Sequence, residues 1–296
     1  PGPVARRANE QVRRMIHPLR IAHRGASAQA PENTLAAFEQ AIRLGVDMLE
    51  IDVRASCDGE VVVIHDAAID RTTNRVGQVA ELSFEQLRQA DAGSWFDAQF
   101  KGEQIPTLSE VLDLARHRAI VLIEIKADHL AERVLQQISA AGAQDAVVVQ
   151  SFDPETVRRI KSIEPMMPTS LLMGDLPKSP SRLRARRMVR EVLAVGANAL
   201  SIWHAALTPA FHEEMRMRGI SVWVWTVDEE VVLRDVTQLG VQGIITNHPD
   251  RLNDVLLDLE RDGAIISPPG RRQRIKPSRW GRRRRIRRAG DPRRSQ

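Results

Sequence analysis

From residue 20 onward, short β-branched apolar runs alternate with segments whose apolar residues return every three or four positions. The runs read as strands: RIAHR (20–24), DMLEIDVR (47–54), AIVLIEIK (119–126), AVVVQSF (146–152), PTSLLM (168–173), ALSIW (199–203), SVWVWTV (221–227) and VQGIIT (241–246). Between them, NTLAAFEQAIRLG, TLSEVLDLARH, HLAERVLQQISAAG, PETVRRIKSIE and EEVVLRDVTQLG carry helical periodicity. Several start behind Asn, Thr, Asp or Pro and stop at Gly, as helix ends require.

Repeated strand-helix units imply a parallel sheet, and eight strands suit a closed (β/α)₈ TIM barrel in the α/β class. An open doubly wound sheet is the competing arrangement. A nucleotide-binding sheet of that kind would bring a glycine-rich phosphate loop after its first strand, and HRGASAQAPEN has neither glycine fingerprint. Two departures from a plain barrel stand out. After the second strand, CDGE (57–60) offers an Asp-Gly turn and VVVIHD (61–66) follows at once, which predicts a hairpin. Residues 67–106 then hold one modest helix pattern, SFEQLRQAD, and a connection so long is expected to cap a site. The expected organisation is an extension or linker over 1–19, the barrel over 20–266 with its insertion at about 67–106, and a basic disordered tail over 267–296.

A chain of 296 residues fits one barrel, and a 43% hydrophobic fraction supplies its core. Cys57 stands alone, so no internal disulfide staples the fold, and a cytoplasmic location is expected. No stretch of about 20 apolar residues and no signal-peptide pattern is present. The chain begins Pro1-Gly2-Pro3 rather than with methionine, which leaves room for a preceding targeting or membrane segment.

The net charge of +5 averages two unlike regions. Residues 271–296 carry thirteen Lys or Arg against one Asp, which leaves the remainder at −7. An acidic body argues against a protein devoted to nucleic acid. The tail itself suits phosphates: Trp280 and Ile286 among its arginines favour an anionic membrane surface, with nucleic acid open as the other partner. The oligomeric state is not legible.

In MLEIDV, Glu50 and Asp52 share one strand face while Leu49, Ile51 and Val53 share the other. Both faces of a barrel strand are buried, so two inward carboxylates need a positive partner. The pattern recurs in VLIEIK, where Glu124 and Lys126 share a face. Both sets lie near the C-terminal strand ends, where barrel active sites form. Three carboxylates suit a hard cation, Mg²⁺ or Ca²⁺. Internal ion pairs with Lys126 or Arg54 would also satisfy one such strand, but the repeat on a second strand and the nearby histidines favour a site. His23 follows the first strand beside Arg24, and His65 ends the hairpin strand beside Asp66. Two histidines can give one proton and take another near neutral pH, as displacement at a phosphodiester requires.

The series His23-Arg24, Glu50-x-Asp52, His65-Asp66 resembles the HR…ExD…HD signature of the glycerophosphodiester phosphodiesterases. The likeness runs from about residue 20 to 253 and includes HRGASAQAPENTLAAF, GSWFDAQFKGEQIPTLSEVL (93–112), IEIK, VWTVD and GIITNHPD. It implies a (β/α)₈ barrel that hydrolyses glycerophosphodiesters to sn-glycerol 3-phosphate and an alcohol. It also implies metal ligation by Glu50, Asp52 and Glu124, acid-base work by His23 and His65, and phosphate binding by Arg24 and Lys126. Asp228 stands where the family commonly has the Asn of WTVN. Trp225 is expected to pack the glycerol or leaving group, Phe152 to sit in the core, and His248 to belong to a helix-opening turn. A lysophospholipase D activity at a membrane is the alternative: an apolar groove under residues 67–106 would favour lipid and a closed polar pocket small diesters, with Ser94-Trp95-Phe96 able to serve either. A non-catalytic scaffold predicts losses from the set, and all seven residues of the core set are present.

Overall fold

A computed structural model describes residues 15–266, apart from residue 179. Its strands are β1 (Met15–Ile16), β2 (Leu19–His23), β3 (Met48–Ala55), β4 (Val61–Val63), β5 (Ile120–Ile125), β6 (Val147–Ser151), β7 (Thr169–Met173), β8 (Ala199–Trp203), β9 (Ser221–Trp225), β10 (Gly243–Thr246) and β11 (Ile265–Ile266). The helices are α1 (Leu35–Arg43), α2 (Phe84–Arg88), α3 (Leu108–Ala115), α4 (Ala131–Ala140), α5 (Pro154–Ile163), α6 (Arg182–Ala194), α7 (Pro209–Arg216), α8 (Glu230–Leu239) and α9 (Pro249–Arg261).

Eight strands, β2, β3 and β5 to β10, pair in parallel, and β2 joins both β3 and β10, so the sheet closes. This is the (β/α)₈ barrel expected from the alternation. The outward positions Leu49, Ile51 and Val53 pack with Val111, Val134 and Ile138 of α3 and α4. The inward positions form two layers. Toward the N-terminal strand ends, Ile21, Met48, Leu122, Val148, Trp223 and Ile245 fill the barrel with apolar side chains. Two residues further along the strands the layer turns polar, with His23, Glu50, Glu124 and Gln150, so the site rests on a packed floor. Gly243 makes room for that floor, since a Cβ there would lie 2.7 Å from Trp223 Cδ1.

As the Asp-Gly turn predicts, β4 pairs antiparallel with the far end of β3, Val63 opposite Val53. The insertion beyond it has its own small core, in which Ile69, Val79, Leu87 and Ile105 pack on Val62 and Ile64. At the opposite end of the barrel, β1 pairs in parallel with β11, and His17 Nε2 lies 3.3 Å from Glu260 Oε1. Residues 15–18 are thereby tied to the barrel base. The basic tail lies outside the described residues. Among the described residues, no helix is long and apolar enough to cross a membrane.

Candidate active site

The turn after β2 sets the geometry. Arg24 and Gly25 both adopt left-handed backbone, with φ of 57° and 86°. A Cβ on Gly25 would meet Ala37 at 2.7 Å, so glycine is required by both conformation and space. This turn points the Arg24 backbone N–H at Glu50 Oε2, 3.0 Å away, and brings its Nε within 3.1 Å of Asp52 Oδ2. Asn33, also left-handed at φ 57°, braces Asp52 by donating from Nδ2 to Oδ2 at 2.9 Å. The hairpin supplies the opposite side. Because β4 runs back along β3, His65 returns beside the inward face of β3, its carbonyl held by Arg54 Nε at 2.8 Å.

Glu50, Asp52 and Glu124 each bring one carboxylate oxygen into a set lying within 4.8 Å of one another, and all three are buried. Lys126 Nζ lies 3.0 Å from Asp52 Oδ1 and contacts Glu124 Oε1. Burial raises the Glu50 carboxyl well above the usual range, and Asp52 and Glu124 push it further. Burial likewise brings Glu124 up to about 7, with repulsion from Asp52 adding to it. For Asp52, burial acts upward, but Lys126 and Arg24 outweigh it and hold the group at about 2. Three buried carboxylates that converge and repel one another fit a hard cation.

His23, Arg24, His65 and Lys126 line one cavity of about 130 Å³ over Glu50 and Glu124. Asp52 lies beneath, fully buried. Burial lowers the His23 imidazole to about 4, with Arg24 adding and Asp52, Asn247 and Glu32 opposing. Burial also lowers His65, with Lys126 and Arg24 adding, while Asp52 and its Asp66 partner oppose. His65 Nδ1 lies 2.6 Å from Asp66 Oδ1.

One wall of the cavity is apolar: Trp225 meets Phe152 edge to face, with centroids 5.7 Å apart, and Lys126 Nζ lies 5.9 Å from the centroid of the Phe152 ring. Phe152 corrects the expectation of core packing. It follows the last residue of β6, is 46% exposed and lines the cavity with Leu172. Ser94, Trp95 and Phe96 do not line it; the Trp95 indole instead donates to the Ala92 carbonyl at 2.9 Å. His248 stands at the N-cap position of α9 without a side-chain capping hydrogen bond, in the helix-opening turn its sequence context suggests.

The structure therefore gathers all eight residues singled out from the sequence into one site. The model of the glycerophosphoryl diester phosphodiesterase family matches residues 23–251. The chain belongs to that family. It is a phosphoric diester hydrolase, and its reaction is the hydrolysis of glycerophosphodiesters. The glycerophosphodiester phosphodiesterase of Caldanaerobacter subterraneus subsp. tengcongensis is 35% identical over 251 residues, 83% of this chain and 98% of the relative. That of Bacillus subtilis is 31% identical over 255 residues, 80% of this chain and 86% of the relative. Among solved structures, the glycerophosphodiester phosphodiesterase of Agrobacterium tumefaciens superposes with a TM-score of 0.68 at 33% identity, covering 81% of this chain and 98% of that one. An Oleispira antarctica phosphodiesterase, solved with sn-glycerol-3-phosphate, shares the fold with a TM-score of 0.72 at 24% identity, covering 82% and 96%.

Other residues of this phosphodiesterase site were not singled out in the sequence. Glu32 accepts from Arg24 at 2.9 Å and from Arg71 of the insertion, Asn33 holds Asp52, Gln150 approaches Glu50 at 3.5 Å, and Asn247 meets His23. Glu32 and Asn33 stand inside the PENT stretch already quoted, so their position after HRG was the available signal. Asn247 likewise stands inside the quoted GIITNHPD, whereas Arg71 had no such signal.

Proposed function

We propose that Glu50, Asp52 and Glu124 hold one divalent cation, Mg²⁺ or Ca²⁺, and that Arg24 and Lys126 bind the phosphoryl oxygens of a glycerophosphodiester. Once bound, the cation would supply positive charge to the phosphoryl group. The observation that carries this reading is the placing of two histidines, two cationic side chains and buried acids around a single cavity. Arg24 offers a planar, permanently charged group and Lys126 a point charge, both suited to oxygens whose charge grows in the transition state. His23 and His65 exchange protons with the reactants: one protonates the departing alcohol and the other takes a proton from the attacking group, either water or the neighbouring glycerol hydroxyl, in which case water then opens the cyclic phosphate. Trp225, backed by Phe152, packs the glycerol or the alcohol. The products would be sn-glycerol 3-phosphate, the compound bound in the Oleispira antarctica protein, and a free alcohol.

The test is release of glycerol 3-phosphate from glycerophosphocholine with Mg²⁺ or Ca²⁺, and its loss with chelator. The expected result is turnover by the intact chain and none above background by the H23A/H65A variant. Comparable turnover by both would overturn the assignment of the histidines.

A further inference from the structure

His23 leans on two side chains from the far end of the barrel sequence. Its Nδ1 lies 2.7 Å from Oδ1 of Asn247, a residue 224 positions away that follows β10. The Nδ2 of the same amide donates to Asp228 Oδ2 at 2.7 Å. The other Asp228 oxygen accepts the Asn247 backbone N–H at 2.9 Å and the Thr246 hydroxyl at 3.0 Å. Ser27 Oγ is 2.8 Å from both Asn247 Oδ1 and the His23 carbonyl, which ties the two loops together.

These contacts have a direction. A carboxylate only accepts, so Asp228 dictates that the NH₂ end of Asn247 faces it. The oxygen end is then turned to His23, and an amide oxygen also only accepts. His23 must therefore carry its proton on Nδ1, which leaves Nε2 as the nitrogen with the lone pair on the side of the ring away from Asn247. His65 is supported differently, since its Nδ1 meets the carboxylate of Asp66 directly. At His23 the negative charge stands one amide further back.

We infer that Asp228, acting through Asn247, is a positioning residue that holds His23 as the Nδ1–H tautomer and presents the Nε2 lone pair to the cavity. This rests on the part proposed for His23 in hydrolysis and adds which of its nitrogens takes part. Removing the carboxylate frees the Asn247 amide to turn over, and an inverted amide would leave His23 facing a donor.

The experiment is ¹⁵N NMR of the histidine-labelled full chain at neutral pH, with the His23 signals assigned by their loss in H23A, alongside steady-state kinetics. The expected spectrum shows a protonated Nδ1 and an unprotonated Nε2 at His23, and this measurement needs no further variant to fold. In D228N the preference for that tautomer should fall away, with kcat reduced on the order of 10- to 100-fold, as for other groups that orient a working histidine, and KM little changed. The exchange D228N/N247D should restore both, because a carboxylate at position 247 accepts from Nδ1–H directly. A protonated Nε2 in the intact protein would overturn the inference. So would a D228N variant that loses turnover with its tautomer unchanged, or a double variant no better than D228N. Full turnover by H23A would instead overturn the proposed function, whatever the tautomer.

Discussion

Arg71 grips both oxygens of Glu32, with Nη1 on Oε2 and Nη2 on Oε1, each at 2.8 Å. Its Nε donates to Asp66 Oδ2 at 2.6 Å. Glu32 also holds Arg24, and Asp66 also holds His65. One guanidinium from the insertion thus joins the partner of Arg24 to the partner of His65.

The side chain of Arg71 is 45% exposed, so its ion pairs add little to stability, about 0–1 kcal/mol. R71M should therefore unfold at nearly the same temperature as the parent while its kcat falls about tenfold through loosened partners. R71K should remain impaired, because a single ammonium cannot reproduce the two-toothed grip. Kinetics and thermal unfolding of the three proteins, measured together, check this; unchanged kcat in R71M would show that the insertion does not tune the site.

Glu124 makes stability without cation depend on pH. Its folded carboxyl is raised from 4.5 to about 7, first by burial and then by Asp52. A raised carboxyl favours the protonated folded form, so this contribution is fully present below 4.5 and is lost as pH rises through about 7. His23 shifts the opposite way but is shared by both proteins, so comparison with E124Q reads the titration of Glu124 together with its push on Glu50. In chelator, E124Q should gain stability on the parent steadily between pH 4.5 and about 7. Excess cation should reverse the order, since a ligand at a hundredfold over Kd adds about 2.7 kcal/mol to the protein that binds it. Urea unfolding across that range checks both; parallel curves would rule the coupling out.

Arg20 is fully buried behind β2, with Asp47 binding its Nε at 3.1 Å and its Nη2 at 3.2 Å, and Asn253 of α9 binding its Nη1 at 3.1 Å. Removing one partner of a buried pair strands the other. D47N should lower unfolding free energy by about 3 kcal/mol, while turnover at low temperature is retained because no contact reaches the cavity. A shift below about 1 kcal/mol would mean that Asn253 suffices.

The basic segment after Ser267 is expected to give the chain affinity for anionic vesicles, about 1 kcal/mol for each Lys or Arg near the surface. Truncation there should abolish salt-sensitive co-sedimentation and leave hydrolysis of a soluble diester intact. Equal sedimentation of both chains would remove the tail from that role.

The sequence made the chemistry legible where it is written along a strand. Glu50 and Asp52, or Glu124 and Lys126, share a face by alternation alone, and the parallel sheet brings neighbouring strands into register, Asp52 opposite Glu124. The supports were not legible because they depend on approach in space. Asn247 reaches His23 only when β10 closes against β2, and Arg71 reaches Glu32 only from a connection without periodic pattern. Phe152 misled for a related reason: it stands one position past the end of β6, where the barrel no longer encloses the side chain.

The clasp of Met15–Ile16 with Ile265–Ile266 brings the two ends of the described chain side by side. It lies under the apolar plug of Ile21, Met48 and Trp223, at the pole away from the histidines. Both ends of the described chain therefore stand at the pole opposite the cavity, so an attachment at residue 266 need not cross the entrance to the site.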